Sequence, residues 1–263
     1  MRKENTTNPE NRIRQSIVRW TYQQMPLDPL CQVAAEIGFE GIDVLAPEDF
    51  GVPARHGLRC TMGIVGLGDN KTVGINRTEY HHQFEDSLRR NAPLAEKHAV
   101  TNVIALCGLR SLDLSDEQGA KNCITCLKRL APIATDHGIT ICLEALNSKR
   151  DHPGHMCDHT EWAVKICEEV ASPNVKLLFN LYHMQIMEGD LIETIRTNSR
   201  WFHHYHTGGV PGRNELDSRQ EINYPAVMRA ILDSGFNGVV AHEFFPTGNS
   251  AESLRQAFAV CNV

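Results

Sequence analysis

The feature that most limits what this chain can become is a repeated one. Short apolar runs each end in a residue able to bind a cation or move a proton. Residues 175–179 (Val-Lys-Leu-Leu-Phe) read as a buried strand, and polar chemistry follows at Asn180 and His183. Other expected strands also end in Glu or His: Ile141-Cys-Leu-Glu144, His204-Tyr-His206 and Val240-Ala-His-Glu243. Strands that are greasy along their length and polar at their exits suit a parallel barrel. There the strands fill the core and their C-terminal ends carry the site.

The rest of the chain fits that frame. Strands are expected at 16–21, 42–45, 58–62, 102–105, 140–144, 175–179, 202–207 and 239–243. Helices are expected between them. Asp28 and Pro29 open the first, which Gly38 closes. Others cover 78–98, 116–137, 158–170 with Asp158 as its cap, 190–200, 225–235 and 251–259. A short Pro/Gly-punctuated segment, 47–57, stands in for a helix. The glycine-rich stretch 63–74 reads as a flexible loop on the active face. Two segments, Ile37-Gly-Phe-Glu-Gly-Ile42 and Ser234-Gly-Phe-Asn-Gly-Val239, repeat one helix-stop and strand-start device. Eight alternating βα units predict a (β/α)8 TIM barrel of the α/β class, and 263 residues suit one such barrel. A doubly wound sheet is the alternative, but it wants a phosphate-binding glycine loop after the first strand, and 20–27 has none. We therefore expect a polar tail over 1–14 and one catalytic domain over 15–263.

Composition narrows the partners. The formal charge of −6 gives no support to nucleic-acid binding. No apolar run is long enough to span a membrane. The polar first dozen residues predict no signal peptide, with export of a processed precursor left open. Nine scattered cysteines, an odd number, read as buried reduced thiols and point to a cytoplasmic setting. Cys123 and Cys126 form a C-x-x-C inside a helical pattern, without the second pair a zinc site needs. A homo-oligomer is compatible with all of this.

Glu144, Asn180, His206 and Glu243 end four successive expected strands, so a closed barrel would line them along one arc of its mouth. Two carboxylates, an imidazole and an amide oxygen suit a divalent metal: Mg2+ or Mn2+ first, Co2+ or Zn2+ as alternatives. His183, three residues after Asn180, can reach a substrate oxygen. His204 shares a strand face with His206 and reads as a hydrogen-bonded core group. Arg213 could neutralise a carboxylate or phosphate. His152, His155 and His159 cluster on one loop.

These residues carry a family resemblance. Leu143-Glu-Ala-Leu-Asn147, Asp151-His-Pro-Gly154, Leu181-Tyr-His-Met-Gln-Ile-Met-Glu-Gly-Asp190, Val210-Pro-Gly-Arg213 and His242-Glu-Phe244 resemble hydroxypyruvate isomerase and its relatives in the xylose-isomerase-like superfamily. The resemblance spans roughly 16–246 and is densest from Ile141 onward. It implies a TIM barrel with one divalent metal, with Glu144 and Glu243 as ligands and as the acid/base pair. His206 matches a ligand position that is Gln in the isomerases and His in the ketose 3-epimerase relatives. Asn180 stands where the family carries Asp, which keeps an oxygen donor and drops one negative charge. His183 and Arg213 match substrate-contacting positions.

The implied reaction is proton transfer on hydroxypyruvate or a small sugar through an enediolate. One glutamate removes the proton beside the carbonyl and the other returns one. Four readings remain beside it: a ketose 3-epimerase, an inosose dehydratase-like lyase, a phosphodiesterase of the endonuclease IV kind, and a non-catalytic sugar-binding barrel suggested by Asn180.

Overall fold

The computed structural model describes residues 12–69 and 73–263. Its strands are β1 (Arg14–Val18), β2 (Gly41–Asp43), β3 (Arg59–Cys60), β4 (Gly63–Leu67), β5 (Asn102–Leu106), β6 (Thr140–Glu144), β7 (Val175–Asn180), β8 (Phe202–Thr207) and β9 (Val239–His242). They pair in parallel in the order β3-β2-β1-β9-β8-β7-β6-β5-β4. β3 and β4 are two halves of one barrel strand, bent at Thr61 and Met62. The bend closes the ring. Leu45 N–H donates to Met62 O at 3.1 Å, and Ile64 N–H donates to Leu45 O at 2.7 Å. The result is an eight-fold (β/α) barrel, as the alternation predicts.

The surrounding helices are α1 (Leu27–Ile37), α2 (His81–Lys97), α3 (Asp116–Asp136), α4 (Thr160–Val170), α5 (Leu181–Met187), α6 (Leu191–Asn198), α7 (Tyr224–Asp233) and α8 (Ser250–Cys261). The repeated device is real. Gly38 (φ 104) and Gly235 (φ 78) both turn left-handed where α1 and α7 stop. The following rings then pack below the barrel: Phe39 edge-on to Phe258 at 5.0 Å, Phe236 edge-on to Tyr205 at 4.8 Å.

Several boundaries differ from expectation. Residues 1–11 of the expected tail lie outside the described residues, and Arg14 already belongs to β1. That strand starts two residues early, and Arg19–Tyr22 is a 3-10 turn. Side-chain alternation hid the register, because Gln15 and Ser16 are both buried. Residues 63–67 are strand rather than loop. Gly63 is required there, since a Cβ would lie 2.7 Å from Phe50 Cζ. Of the remaining stretch, 70–72 lie outside the described residues. Asp28 sits in the first turn of α1, after an N-cap at Pro26. Asp158 does not cap α4; His159 holds that position and Asp158 binds Arg110 instead. Residues 181–187, where no element is expected from the sequence, form α5. Segment 47–57 carries two 3-10 turns, Pro47–Asp49 and Pro53–His56. All nine cysteines are free and buried. No helix among the described residues is long and apolar enough to cross a membrane.

Candidate active site

β6, β7, β8 and the residue after β9 bring Glu144, Asn180, His206 and Glu243 to one buried point at the C-terminal mouth of the barrel. Each is at most 5% exposed. The register explains the meeting: Asn180 pairs with His206 across β7 and β8, and Glu144 lies beside Leu178 across β6 and β7.

Asn180 joins the two glutamates. Its Nδ2 donates to Glu144 Oε1 at 2.9 Å and to Glu243 Oε2 at 2.8 Å. Its Oδ1 accepts from the His183 backbone N–H at 3.3 Å, capping α5. The network fixes this orientation. A flipped amide would set Nδ2 against the His183 N–H and Oδ1 between two carboxylates. So the amide presents hydrogens to the glutamates, whereas the sequence suggested an oxygen aimed at a metal.

Glu243 is the most heavily held. Trp20 Nε1–H donates to its Oε1 at 2.7 Å, and Arg213 Nη2–H donates to its Oε2. Burial disfavours its charge, but Arg213 and then His206 outweigh this and hold the carboxyl well below its ordinary value. Arg213 is itself left-handed (φ 56) and lies over the rings of Trp20 and Tyr182, at 5.0 and 4.9 Å. It lines the cavity but is spent mainly on Glu243.

His206 points Nδ1 at both glutamates, 3.6 Å from Glu144 Oε1 and 3.3 Å from Glu243 Oε2, with no hydrogen-bond partner. Its Nε2–H donates to Asp43 Oδ2 at 2.8 Å. His204 Nε2 meets the same oxygen at 3.1 Å, and Thr61 Oγ1 donates to Asp43 Oδ1 at 2.5 Å. Burial works against the His206 charge, but Glu243, Asp43 and Glu144 raise its pKa well above the usual imidazole value. Asp43 is wholly buried and kept ionised against that burial by the two imidazoles. His204 is thus a hydrogen-bonded group beneath the site, as read from the sequence.

His183 accepts from Asn147 at Nδ1, from Nδ2–H at 2.7 Å and from the backbone N–H at 3.2 Å. Two donors on Nδ1 leave the proton on Nε2, which is buried and unpartnered beside the cavity. Burial and Arg213 keep the ring neutral, its pKa well below the ordinary value. His152 lines the same cavity, its ring centroid 5.3 Å from that of His183. His155 is buried behind it, and His159 binds Asp158 at 2.8 Å. These three do not gather around one point.

Glu144, His206 and Glu243 each offer one donor atom, all within 4.8 Å of one another. The unpartnered Nδ1 facing two carboxylate oxygens fits a divalent cation. A second set, Asp43, His204 and His206, is equally compact, but Thr61 and the two imidazoles already fill it. Sequence reasoning missed Asp43, Trp20 and Asn147. Asp43 left a signal as an acid inside the apolar run Ile42-Asp43-Val44, and Asn147 as the last residue of Leu143-Glu-Ala-Leu-Asn147.

The cavity above these groups is about 250 Å3. Its polar lining comes from β6 onward, apart from Trp20. The opposite wall is aliphatic: Val44, Ile64, Ile104 and Leu106.

Residues 31–261 match the family model described as a xylose isomerase-like TIM barrel. Hydroxypyruvate isomerase of Escherichia coli is 27% identical over 233 residues, covering 84% of this chain and 89% of that one. The 2-oxo-tetronate isomerase of Cupriavidus necator is 32% identical over 124 residues, a match spanning about half of each protein, 47% of either chain. A crystal structure described as AP endonuclease, family 2, from Brucella melitensis superposes with a TM-score of 0.84 at 29% identity, over 92% of this chain and 96% of that one.

Proposed function

Because the chain belongs to the xylose isomerase-like TIM barrel family, we propose that it is an isomerase of small hydroxycarbonyl compounds, hydroxypyruvate or a short sugar acid among them. The observation that carries this reading is the carboxylate pair. Glu144 and Glu243 face one another across a single amide nitrogen, buried, at the floor of a small cavity.

In this reading the pair takes the proton from the carbon bearing the hydroxyl and returns one to the neighbouring carbon. The hydroxyl proton crosses to the former carbonyl oxygen, so the formula is unchanged. Asn180, Arg213 and Trp20 hold the carboxylates at fixed angles, and Arg213 favours the ionised form of Glu243. His183 donates from Nε2–H to a substrate oxygen. Burial excludes water and so protects the enediolate from side reactions. Glu144, His206 and Glu243 would hold the divalent cation, Mg2+ or Mn2+ by the hardness of the oxygens. When bound it supplies Lewis-acid polarisation of the carbonyl.

An epimerase would return the proton to the same carbon from the opposite face, and the same pair serves that outcome. A lyase would lose water, which product mass detects. A nuclease reading, which the description of the Brucella protein raises, asks for cations along a phosphate backbone. Arg213, the Lys/Arg cation lining this cavity among the described residues, is engaged by Glu243.

The test is exchange of the substrate proton beside the carbonyl in deuterated water, followed by NMR with Mn2+ present. Exchange is expected with hydroxypyruvate or a short oxo-sugar acid. Glu144→Gln and Glu243→Gln should each slow it by about 100-fold or more. Full exchange in both variants would refute the assignment.

A further inference from the structure

The cavity has two chemically different halves, and the aliphatic half has no function in the reaction proposed above. Val44 follows β2, Ile64 lies on β4, and Ile104 and Leu106 lie on β5. The interior of a barrel is normally filled with such side chains packed on one another. Here they are left partly uncovered. Val44, Ile104 and Leu106 are only half-buried, and Ile64 is 39% exposed although it lines the cavity. Apolar surface kept open toward a cavity is matched by an apolar partner.

The backbone gives a second, independent observation. Val44 has φ 58, in the left-handed region. A β-branched residue there is an outlier, since its side chain crowds the backbone. Such strain persists where the surrounding structure over-determines it, and it concentrates at ligand-contacting positions. Here it turns Val44 into the wall of the cavity. The polar groups, by contrast, converge from Glu144, His183, His206 and Glu243 on the other side. A ligand in this cavity is therefore held in one direction, its reacting oxygens toward the carboxylate pair and its far end on the aliphatic wall.

We infer that the substrate ends in a hydrocarbon group, a methyl or deoxy terminus, seated against Val44, Ile64, Ile104 and Leu106. This rests on the isomerase reading for the identity of the reacting end and narrows its substrates, since hydroxypyruvate has no hydrocarbon terminus and would fill only the polar half of the cavity. A terminal hydroxyl placed on that wall would lose its water and find no side-chain partner among the described residues that form it. A terminal phosphate would meet no free cation there among those residues.

The experiment uses matched pairs. Two four-carbon hydroxy-oxo acids, one ending in methyl and one in hydroxymethyl, are assayed for turnover with Mn2+ present. The corresponding hydroxy acids, which lack the carbonyl and do not react, are titrated calorimetrically. The methyl-ended member of each pair is expected to be favoured by about tenfold to a hundredfold, in kcat/KM and in Kd. Val44→Thr keeps the shape of the side chain and adds a hydroxyl to the wall, and it should narrow that preference. Equal affinity for the two members, preference for the hydroxymethyl end, or binding of neither would overturn the inference. If the methyl-ended acid binds more tightly but neither oxo acid nor hydroxypyruvate turns over, the inference stands and the isomerase reading falls. If both turn over with no preference, the reverse holds.

Discussion

The amide of Asn180 holds two neighbours in opposite senses, accepting from the His183 backbone and donating to both glutamates. Asn180→Asp would put a third carboxylate where a donor stands now. Without metal, that variant should lose about 1–3 kcal/mol, since two buried acceptors lose their donor and gain a like charge. At about 2–4 °C per kcal/mol for a domain of this size, its Tm in EDTA should fall by several degrees. With Mn2+ the order should reverse, because the added charge favours the cation, and calorimetric Kd for Mn2+ should be lower than in the wild type. A Tm in EDTA equal to the wild type would show that the amide bridge contributes nothing. Asp43 is the complementary case. Breaking a buried ion pair typically costs about 3–5 kcal/mol, because the partner charge is left alone. Asp43→Ala, which strands His206 and His204, should therefore unfold at a markedly lower temperature in a thermal melt. The sequence made Glu144 and Glu243 legible because each ends an apolar run, and His206 because it stands near the exit of the strand expected over 202–207. Asp43 sits inside one, and its partners lie 161 and 163 residues away, so no local pattern points to it.

Two loops of the active face are tied together by Arg110. Its guanidinium bonds Asp116 at the start of α3, Asp158 before α4, and the carbonyls of His155 and Met156. Burial pushes the Asp158 carboxyl up, but Arg110, Ser148 and His159 outweigh it and bring the pKa down to about 2. The ordinary value is about 3.9. A carboxyl depressed in the folded state contributes stability that is fully present above its unfolded value and is lost as pH falls through the folded one. Wild-type stability should therefore drop between about pH 4 and pH 2, and Asp158→Asn, less stable at neutral pH, should show a shallower drop. Urea melts across that range check it; identical slopes would exclude Asp158 as a contributor. The same element shows why boundaries were harder to read than strands. Asp158 has the sequence look of a helix cap, and a distant arginine claimed it. The strands β6 and β8 begin and end where the sequence places them. β1 slipped because its buried face includes Gln15, Ser16 and a backbone that bends into a 3-10 turn.

At the scale of the molecule, chemistry and closure sit on opposite sides of the barrel. The polar groups of the mouth cluster on β6 to β9, where sequence patterning was clear, and on α5, which that patterning did not reveal. The ring closes between Leu45 and Gly63, where a glycine-rich stretch looked like a loop because its strand is bent and interrupted. Glycine is needed at that seam for space rather than for a turn. A Cβ on residue 63 would lie 2.7 Å from Phe50 Cζ, 3.0 Å from Phe50 Cε1 and 3.3 Å from Val100 Cγ1, and the Phe50 ring is buried with little room to yield. Gly63→Ala should cost about 1–3 kcal/mol by overpacking, a fall in Tm of roughly 2–10 °C. Gly248→Ala, with nothing within 4 Å of the added carbon, is the matched control and should melt with the wild type. Because every strand of a closed sheet is bonded on both sides, strain at the seam is shared around the ring. Gly63→Ala should then unfold in a single transition, with the Trp fluorescence and far-UV dichroism curves superimposed. Two separated transitions would mean that the chemical half of the barrel holds together without the closing strand, and that closure is not what keeps the glutamates in place.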